Sequence, residues 1–248
     1  MVQFVFVRHG ESETNRHLHK RAVGEALSSE VLHEVRTSGN PALTEHGEFQ
    51  AAHSANHVAS RIVSARVVAV LASPYARARR TAAYAQAALT LTQALWHAAP
   101  LSVVERAELR EYTPPRKWEA LSADERAVVE CAASAGDTVG ADTEWSVFTA
   151  RVAASVAMLE RDYGDAGDDA VVLVYGHSLH ISTLLTHVAT QCAYMPPSVD
   201  ALAIELPNCS VSVAHYRSGA EAGARWRVYK AACACHLGEA ATGRHTTM

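Results

Sequence analysis

Several things are scarce in this chain of 248 residues, and each scarcity excludes a class of protein. No stretch approaches the roughly 20 consecutive apolar residues that a membrane-spanning helix needs. The apolar start at Val2–Val7 is too short for a secretory core and has no basic segment before it, so a soluble, cytoplasmic protein with no membrane partner is expected. Excess positive charge is missing too: 22 Lys and Arg stand against 26 Asp and Glu, a net charge of −4. That balance argues against an extended nucleic-acid surface while leaving room for a local basic pocket. Cysteine is sparse and odd in number, with Cys131, Cys192 and Cys209 isolated and only Cys233 and Cys235 close together. Such a set reads as reduced thiols, not as a disulfide framework. Internal repeats and linker-like stretches are absent, so one domain over 1–235 is expected, with a flexible tail at 236–248.

What is present suits a large buried core, with 49% hydrophobic and 19% charged residues. Val2–Val7, Val67–Ala72 and Ala170–Tyr175 are almost wholly apolar, as parallel strands covered on both faces should be. Helical patterns separate them: one capped by Thr44 and running to about Val63, one starting at Ser73-Pro74, and one over Thr143–Tyr163. Leu101–Glu105 is a candidate fourth strand. The segments ALAIEL (201–206), SVSVAHY (210–216) and RWRVYK (225–230) predict a β-rich finish. Alternating strands and helices imply a three-layer α/β/α fold around a mostly parallel sheet.

Each buried strand stops at residues suited to an anion. The first ends in Arg8-His9-Gly10. The second ends in Ser73-Pro74 with Arg77 in the next helical turn, and the third in Gly176-His177-Ser178 before a helix. Ligands of open α/β sheets bind beyond the carboxyl ends of the strands, where helix N-termini offer free amides. A cation in a helix's first turn is disfavoured unless an anion compensates it, which singles out Arg77 from its neighbours Arg79 and Arg80, read as surface residues. Arg8, His9, Arg77 and His177 in one crevice would bind a dianion.

These residues resemble the histidine phosphatase superfamily, the phosphoglycerate mutase-like family. RHGE at 8–11 is similar to its signature, and Asn15 matches its phosphate-contacting asparagine. LTEHGEFQA at 43–51 and SPYARARRTA at 73–82 resemble two further elements in the expected order, and His177 matches the second catalytic histidine. LRE at 109–111 looks like the acid-bearing segment. Glu105, Glu108 and Glu111 all stand nearby, and the family spacing favours Glu111. One departure is that glycine precedes His177 and Ser178 follows it, whereas the family commonly places glycine after.

The resemblance implies a phosphomonoester hydrolase with His9 as in-line nucleophile, phosphate held by Arg8, Asn15, Arg77 and His177, and Glu111 as proton donor and then base. No metal or other cofactor is required. A phosphomutase and a non-catalytic phospho-ligand binder share these features and remain alternatives. An esterase is another, because Gly176-x-Ser178 begins a nucleophile elbow, though His180 stands where that turn wants a small residue. His17 and His19, His53 and His57, and Cys233, Cys235 and His236 form partial metal-ligand patterns, none with a full set. The substrate is expected to be a small phosphorylated metabolite or a phosphoprotein. Arg16, His17, His19, Lys20 and Arg21 either read a second anion or are merely solvated. Residues 112–142 form an expected cap over the leaving group, with Trp118 a candidate lining residue.

Overall fold

The computed structural model describes residues 1–93, 101–133, 139–202, 204–221 and 223–238. Among them lie six strands, β1 (Val2–Arg8), β2 (Arg66–Ala72), β3 (Val103–Glu105), β4 (Ala170–Gly176), β5 (Val211–Tyr216) and β6 (Trp226–Cys233). The helices are α1 (Glu13–Ala22), α2 (Ser29–Thr37), α3 (Glu45–Arg61), α4 (Ala76–Gln93), α5 (Pro115–Glu119), α6 (Ala123–Cys131), α7 (Trp145–Tyr163) and α8 (Ser178–Ala189).

The alternation of side chains along β1 sets the layers. Val2, Phe4 and Phe6 face α7 and α8, where they meet Phe148, Val152, Ile181 and Leu184. Val5 and Val7 face α3 and α4, against Val58, Ala59 and Leu89. Both faces of the strand are covered, which is why its sequence is almost wholly apolar. The strand order is β3-β2-β4-β1-β5-β6, a mixed and mostly parallel sheet in an α/β fold. β1 to β4 run parallel, and β5 and β6 add an antiparallel edge.

Parallel pairing brings the carboxyl ends of β1, β2 and β4 to one edge of the sheet. Arg8 lies opposite Gly176 in the register, so the RHG and GHS turns sit side by side. Backbone bonds carry the alignment past the strand ends: His9 N–H donates to Gly176 O at 3.0 Å and Ser73 N–H to Tyr175 O at 2.9 Å.

Three elements depart from expectation. α4 starts at Ala76 rather than at Ser73-Pro74, because the Ser73 hydroxyl is turned to His177 and the first helical amide is capped from a distance by Asn40 Oδ1 at 2.8 Å. No described residue of 201–206 forms a strand. β1 already has neighbours on both sides, and the carbonyls of Ile204 and Leu206 accept from Ser182 and Arg8 instead. At the C-terminal end, the turn Cys235–Leu237 buries Leu237 against Ala51 and Cys209, so packing continues past the expected start of the tail; its residues 239–248 lie outside the described ones. Among the described residues no helix is long and apolar enough to cross a membrane.

Candidate active site

The loop after β1 is built on two glycines at van der Waals limit. A Cβ on Gly10 would lie 2.3 Å from Gly47 O, and one on Gly47 would lie 2.0 Å from Glu11 O. Only glycine at both positions lets the loop lie on the N-terminus of α3. Thr44 caps that helix by accepting from Gly47 N–H at 2.9 Å, and its hydroxyl donates to Glu11 Oε1 at 2.7 Å. Gln50 Oε1 accepts from Glu11 N–H at 2.8 Å, and Thr81 Oγ1 accepts from Gly10 N–H at 3.1 Å. The LTEHGEFQA and SPYARARRTA segments therefore serve first as the mould for the signature loop.

Within that mould the tautomer of His9 is determined. Its Nδ1 lies 2.7 Å from Gly10 O, and a carbonyl can only accept, so Nδ1 carries the proton. Nε2 then holds the lone pair, and it accepts from Arg77 Nε–H at 3.1 Å. Burial, followed by the charges of Arg77 and Arg8, holds the His9 pKa well below the usual histidine value. The ring is neutral across the physiological range.

Around His9 stand the other anchors. Arg8, at the end of β1, donates to Leu206 O, and its buried Nε has no protein partner among the described residues. Burial is the main force lowering its pKa, to about 10; Glu111 opposes that shift and Arg77 reinforces it. Arg77 lies over the Tyr75 ring and keeps a buried Nη1 that has no partner among the described residues. Two buried guanidinium groups with unused donors are costly unless an anion meets them. His177 is fully buried with its ring centroid 5.1 Å from that of His9. Its Nε2 shares a 2.8 Å hydrogen bond with Ser73 Oγ, its Nδ1 has no partner among the described residues, and burial first and Arg77 second hold it neutral. Asn15 closes the capping box of α1: its Oδ1 accepts from Ser12 and from Asn208 Nδ2 at 3.1 Å, which leaves its amide N–H groups for the crevice.

Glu111 faces the same crevice. Its Oε2 accepts from Leu179 N–H at 3.1 Å, in the first turn of α8, and its Oε1 accepts from Tyr112 N–H at 2.8 Å. A cavity of about 360 Å³ is lined by Arg8, His9, Asn15, Arg77 and Glu111 together with Arg116 and Lys117 of α5. Glu108 lies elsewhere, on a second cavity with Arg110 and Arg151, and Glu105 pairs with Arg79 on the surface.

Sequence reasoning missed several contributors. Asn208 donates to His9 O at 3.1 Å as well as to Asn15, from the Pro-Asn turn before β5, and Cys209 N–H adds a bond to His9 O at 3.2 Å. The Pro-Asn pair was the available turn signal. Arg151 of α7 grips the acid-bearing segment: it donates to the carbonyls of Glu108, Arg110 and Glu111 and pairs with Asp142 at 2.6 Å. One expectation fails. Trp118 does not line the cavity but packs under Arg110, with Tyr112 and Pro114 lining in its place. Two readings were open for Arg16, His17, His19, Lys20 and Arg21, and the structure favours the solvated one: none of the five lines the cavity, and Arg16, His19 and Arg21 are exposed. They are carried on α1, where Arg16 pairs with Glu13 and Lys20 with Glu25.

The family model described as the histidine phosphatase superfamily (branch 1) matches residues 4–228. The chain belongs to that superfamily. Membership in the histidine phosphatase superfamily places it among phosphatases and phosphomutases. Solved structures with the same fold include a phosphoglycerate mutase from Bacillus anthracis, at 17% identity and a TM-score of 0.56, covering 95% of this chain and 94% of that one. A mycobacterial glucosyl-3-phosphoglycerate phosphatase in complex with VO3 is 21% identical with a TM-score of 0.53, covering 92% and 97%. The ecdysone phosphate phosphatase from Bombix mori in complex with tungstate is 16% identical with a TM-score of 0.53, covering 94% and 93%. Comparison with curated proteins gives no match.

The esterase alternative falls with this membership, and among the described residues the Ser178 hydroxyl has no histidine partner. His53 and His57 lie along α3, where His57 stacks on His236. Among the described residues no group of three or more His, Cys, Asp or Glu is placed to hold a metal ion.

Proposed function

We propose that the chain is a cytoplasmic phosphomonoester hydrolase that works without a metal through a phosphohistidine on His9, with residues 1–235 as its catalytic domain and 112–142 as its cap. Its substrate is a small phosphorylated metabolite. The observation that carries the reading is the locked His9: Nδ1–H is held by Gly10 O, and the Nε2 lone pair is aimed at Arg77.

In the free site that lone pair is occupied by Arg77 Nε–H. A phosphoryl oxygen is a stronger acceptor than a neutral imidazole, so substrate draws the guanidinium onto itself and frees Nε2 to attack phosphorus. As the P–Nε2 bond forms, the P–O bond to the leaving group breaks. Glu111, protonated, gives its proton to the departing oxygen. Arg8, Arg77, Asn15 and His177 Nδ1–H then hold the three equatorial oxygens, stabilising charge at the step where it develops. In the second half, the Glu111 carboxylate takes a proton from water, which attacks phosphorus and releases His9 neutral together with inorganic phosphate.

The test is turnover of para-nitrophenyl phosphate in EDTA, with a His9→Ala control. Release of nitrophenolate by the native protein and its loss in the variant are expected. Activity that needs a divalent metal, or that survives in His9→Ala, refutes the reading.

A further inference from the structure

The C-terminal end of β6 carries two thiols that the phosphoryl chemistry does not use. Along an extended strand, residues two apart stand roughly 6.5 Å from each other, too far for their sulfurs to meet. Cys233 and Cys235 escape that spacing. Val211 pairs with Cys233 but Val213 with Lys230, so Ser212 stands opposite two residues and β6 bulges just before its end. Within the bulge Ala232 takes a left-handed φ of 54°, and its N–H donates to Ser212 Oγ at 3.0 Å. A bulge re-aims the side chain beyond it, and a left-handed residue other than glycine persists only where its surroundings hold it. Ala234, at φ −118° and ψ 14°, then folds the chain into the Cys235–Leu237 turn. The two sulfurs come to 2.9 Å, inside van der Waals contact.

Position and charge suit oxidation at this pair. Cys235 is exposed and Cys233 half-buried, whereas Cys209 is buried. Burial raises the Cys233 pKa, but the contact with Cys235 and the Lys230 ammonium outweigh it and hold that thiol below its ordinary value. The same contact raises the Cys235 pKa. Cys233 is thus the nucleophile and Cys235 its resolving partner. Among the described residues no third ligand joins them, so a bond between the sulfurs, not a closed metal site, is the chemistry at hand. The turn also bears on the rest of the molecule. Leu237 packs on Ala51 and on Cys209, whose N–H donates to His9 O.

We propose that Cys233 and Cys235 form a reversible redox site, built by the fold and closed to a disulfide by a low-molecular-weight disulfide such as oxidised glutathione. The Cys233 thiolate attacks one sulfur of the reagent, forming a mixed disulfide and expelling one reagent thiolate. Cys235, giving up its proton, then attacks Cys233 Sγ and expels the second reagent thiolate. In sum, two protein thiols become one disulfide while the reagent takes up two electrons and two protons and leaves as two thiols. A bond across so short and exposed a turn is readily reduced, as labile regulatory disulfides are. It ties the turn that seats Leu237 to the end of β6, and it is independent of the phosphohydrolase reading.

The test treats the full native chain with excess oxidised glutathione, quenches with acid, blocks the remaining thiols and maps the peptides by mass. A closed Cys233–Cys235 bond, lighter by two hydrogens, should exceed glutathione adducts at these positions by at least about tenfold, because the second thiol attacks from within contact. Excess reduced glutathione should return both thiols. Cys233→Ser and Cys235→Ser should each stop at a glutathione adduct on the cysteine that remains. In urea-unfolded chain the ratio of closed bond to adduct should fall by at least about tenfold, since the bulge and turn that join the sulfurs are gone. Several results overturn the site: no oxidation at the pair, adducts that persist at both positions, bonds to Cys131, Cys192 or a second copy in place of the internal one, a bond that reduced glutathione does not open, or an unchanged ratio in urea.

Discussion

Replacing Arg151 with methionine should separate two kinds of substrate as well as weaken the fold. The Arg151 side chain is 9% exposed and its partner Asp142 1%. Its guanidinium donates to Arg110 O and Asp142 at 2.6 Å each, and more loosely to the carbonyls of Glu108 and Glu111. Asp142 in turn accepts from Thr113 N–H at 2.8 Å, so the pair holds both flanks of Glu111. Removing one partner of a buried pair strands the other, at a cost of about 3–5 kcal/mol. In urea, with a slope of roughly 2.5 kcal/mol/M, the midpoint should fall by about 1–2 M. The catalytic consequence is more specific. Nitrophenolate departs without a proton, whereas an alkoxide needs one, so a displaced Glu111 should hurt the alkyl ester selectively. We expect kcat/KM for an alkyl phosphate to drop at least about tenfold more than for para-nitrophenyl phosphate, within the range that general acid catalysis supplies. Arg151→Met with Asp142→Asn removes the stranded charge and should recover much of the stability but not the alkyl activity. A loss below about 1 kcal/mol, or equal losses on the two esters, would refute the reasoning.

Gly47→Ala should cost about 1–3 kcal/mol or more and at least tenfold in kcat/KM, because its Cβ would meet the Glu11 carbonyl and lift the His9 loop; melting and kinetics check both. Acid should weaken the fold. His9, His177 and His180 are all held below the usual value, His180 to about 3, chiefly by burial. Unfolded, each binds a proton near about pH 6.5, so the unfolded state gains protons first and stability falls by about 1.4 kcal/mol per pH unit per histidine as pH drops below that. Thermal melts that are flat between about pH 7 and 5 would contradict this. Asn208→Ala should raise KM and lower kcat together by about three- to tenfold, since it loosens both His9 O and Asn15; unchanged kinetics would show that the turn is only structural.

Much of the site was legible because the chemistry sits at strand ends. Apolar runs that stop at RHG, SP and GHS predict three turns along one sheet edge, and the structure sets them together through the Arg8–Gly176 register. The glycines were legible only as pattern, and the close approach of Gly10 and Gly47 supplies their reason. What escaped came from tertiary contact. Asn40 caps a helix 36 residues away, Asn208 arrives from the turn before β5, and Arg151 reaches across from α7. The basic stretch at 16–21 stayed open between two readings because charge alone does not say which way a helix turns it. α1 exposes Arg16, His19 and Arg21 and keeps all five side chains out of the cavity lining, which the less conspicuous Arg116-Lys117 pair joins. ALAIEL alternates like a strand, yet no edge of β1 was open to receive it.

The central claim is that phosphate passes through His9, and trapping it there is the most direct test. Glu111→Gln should still expel nitrophenolate, which needs no proton, but should lack the base that activates water. Rapid alkaline quench of this variant with para-nitrophenyl phosphate, followed by peptide mass analysis, should find one phosphoryl group on His9, bonded through Nε2. Phosphate on another residue, or steady nitrophenolate release with no phosphoenzyme, would contradict the account.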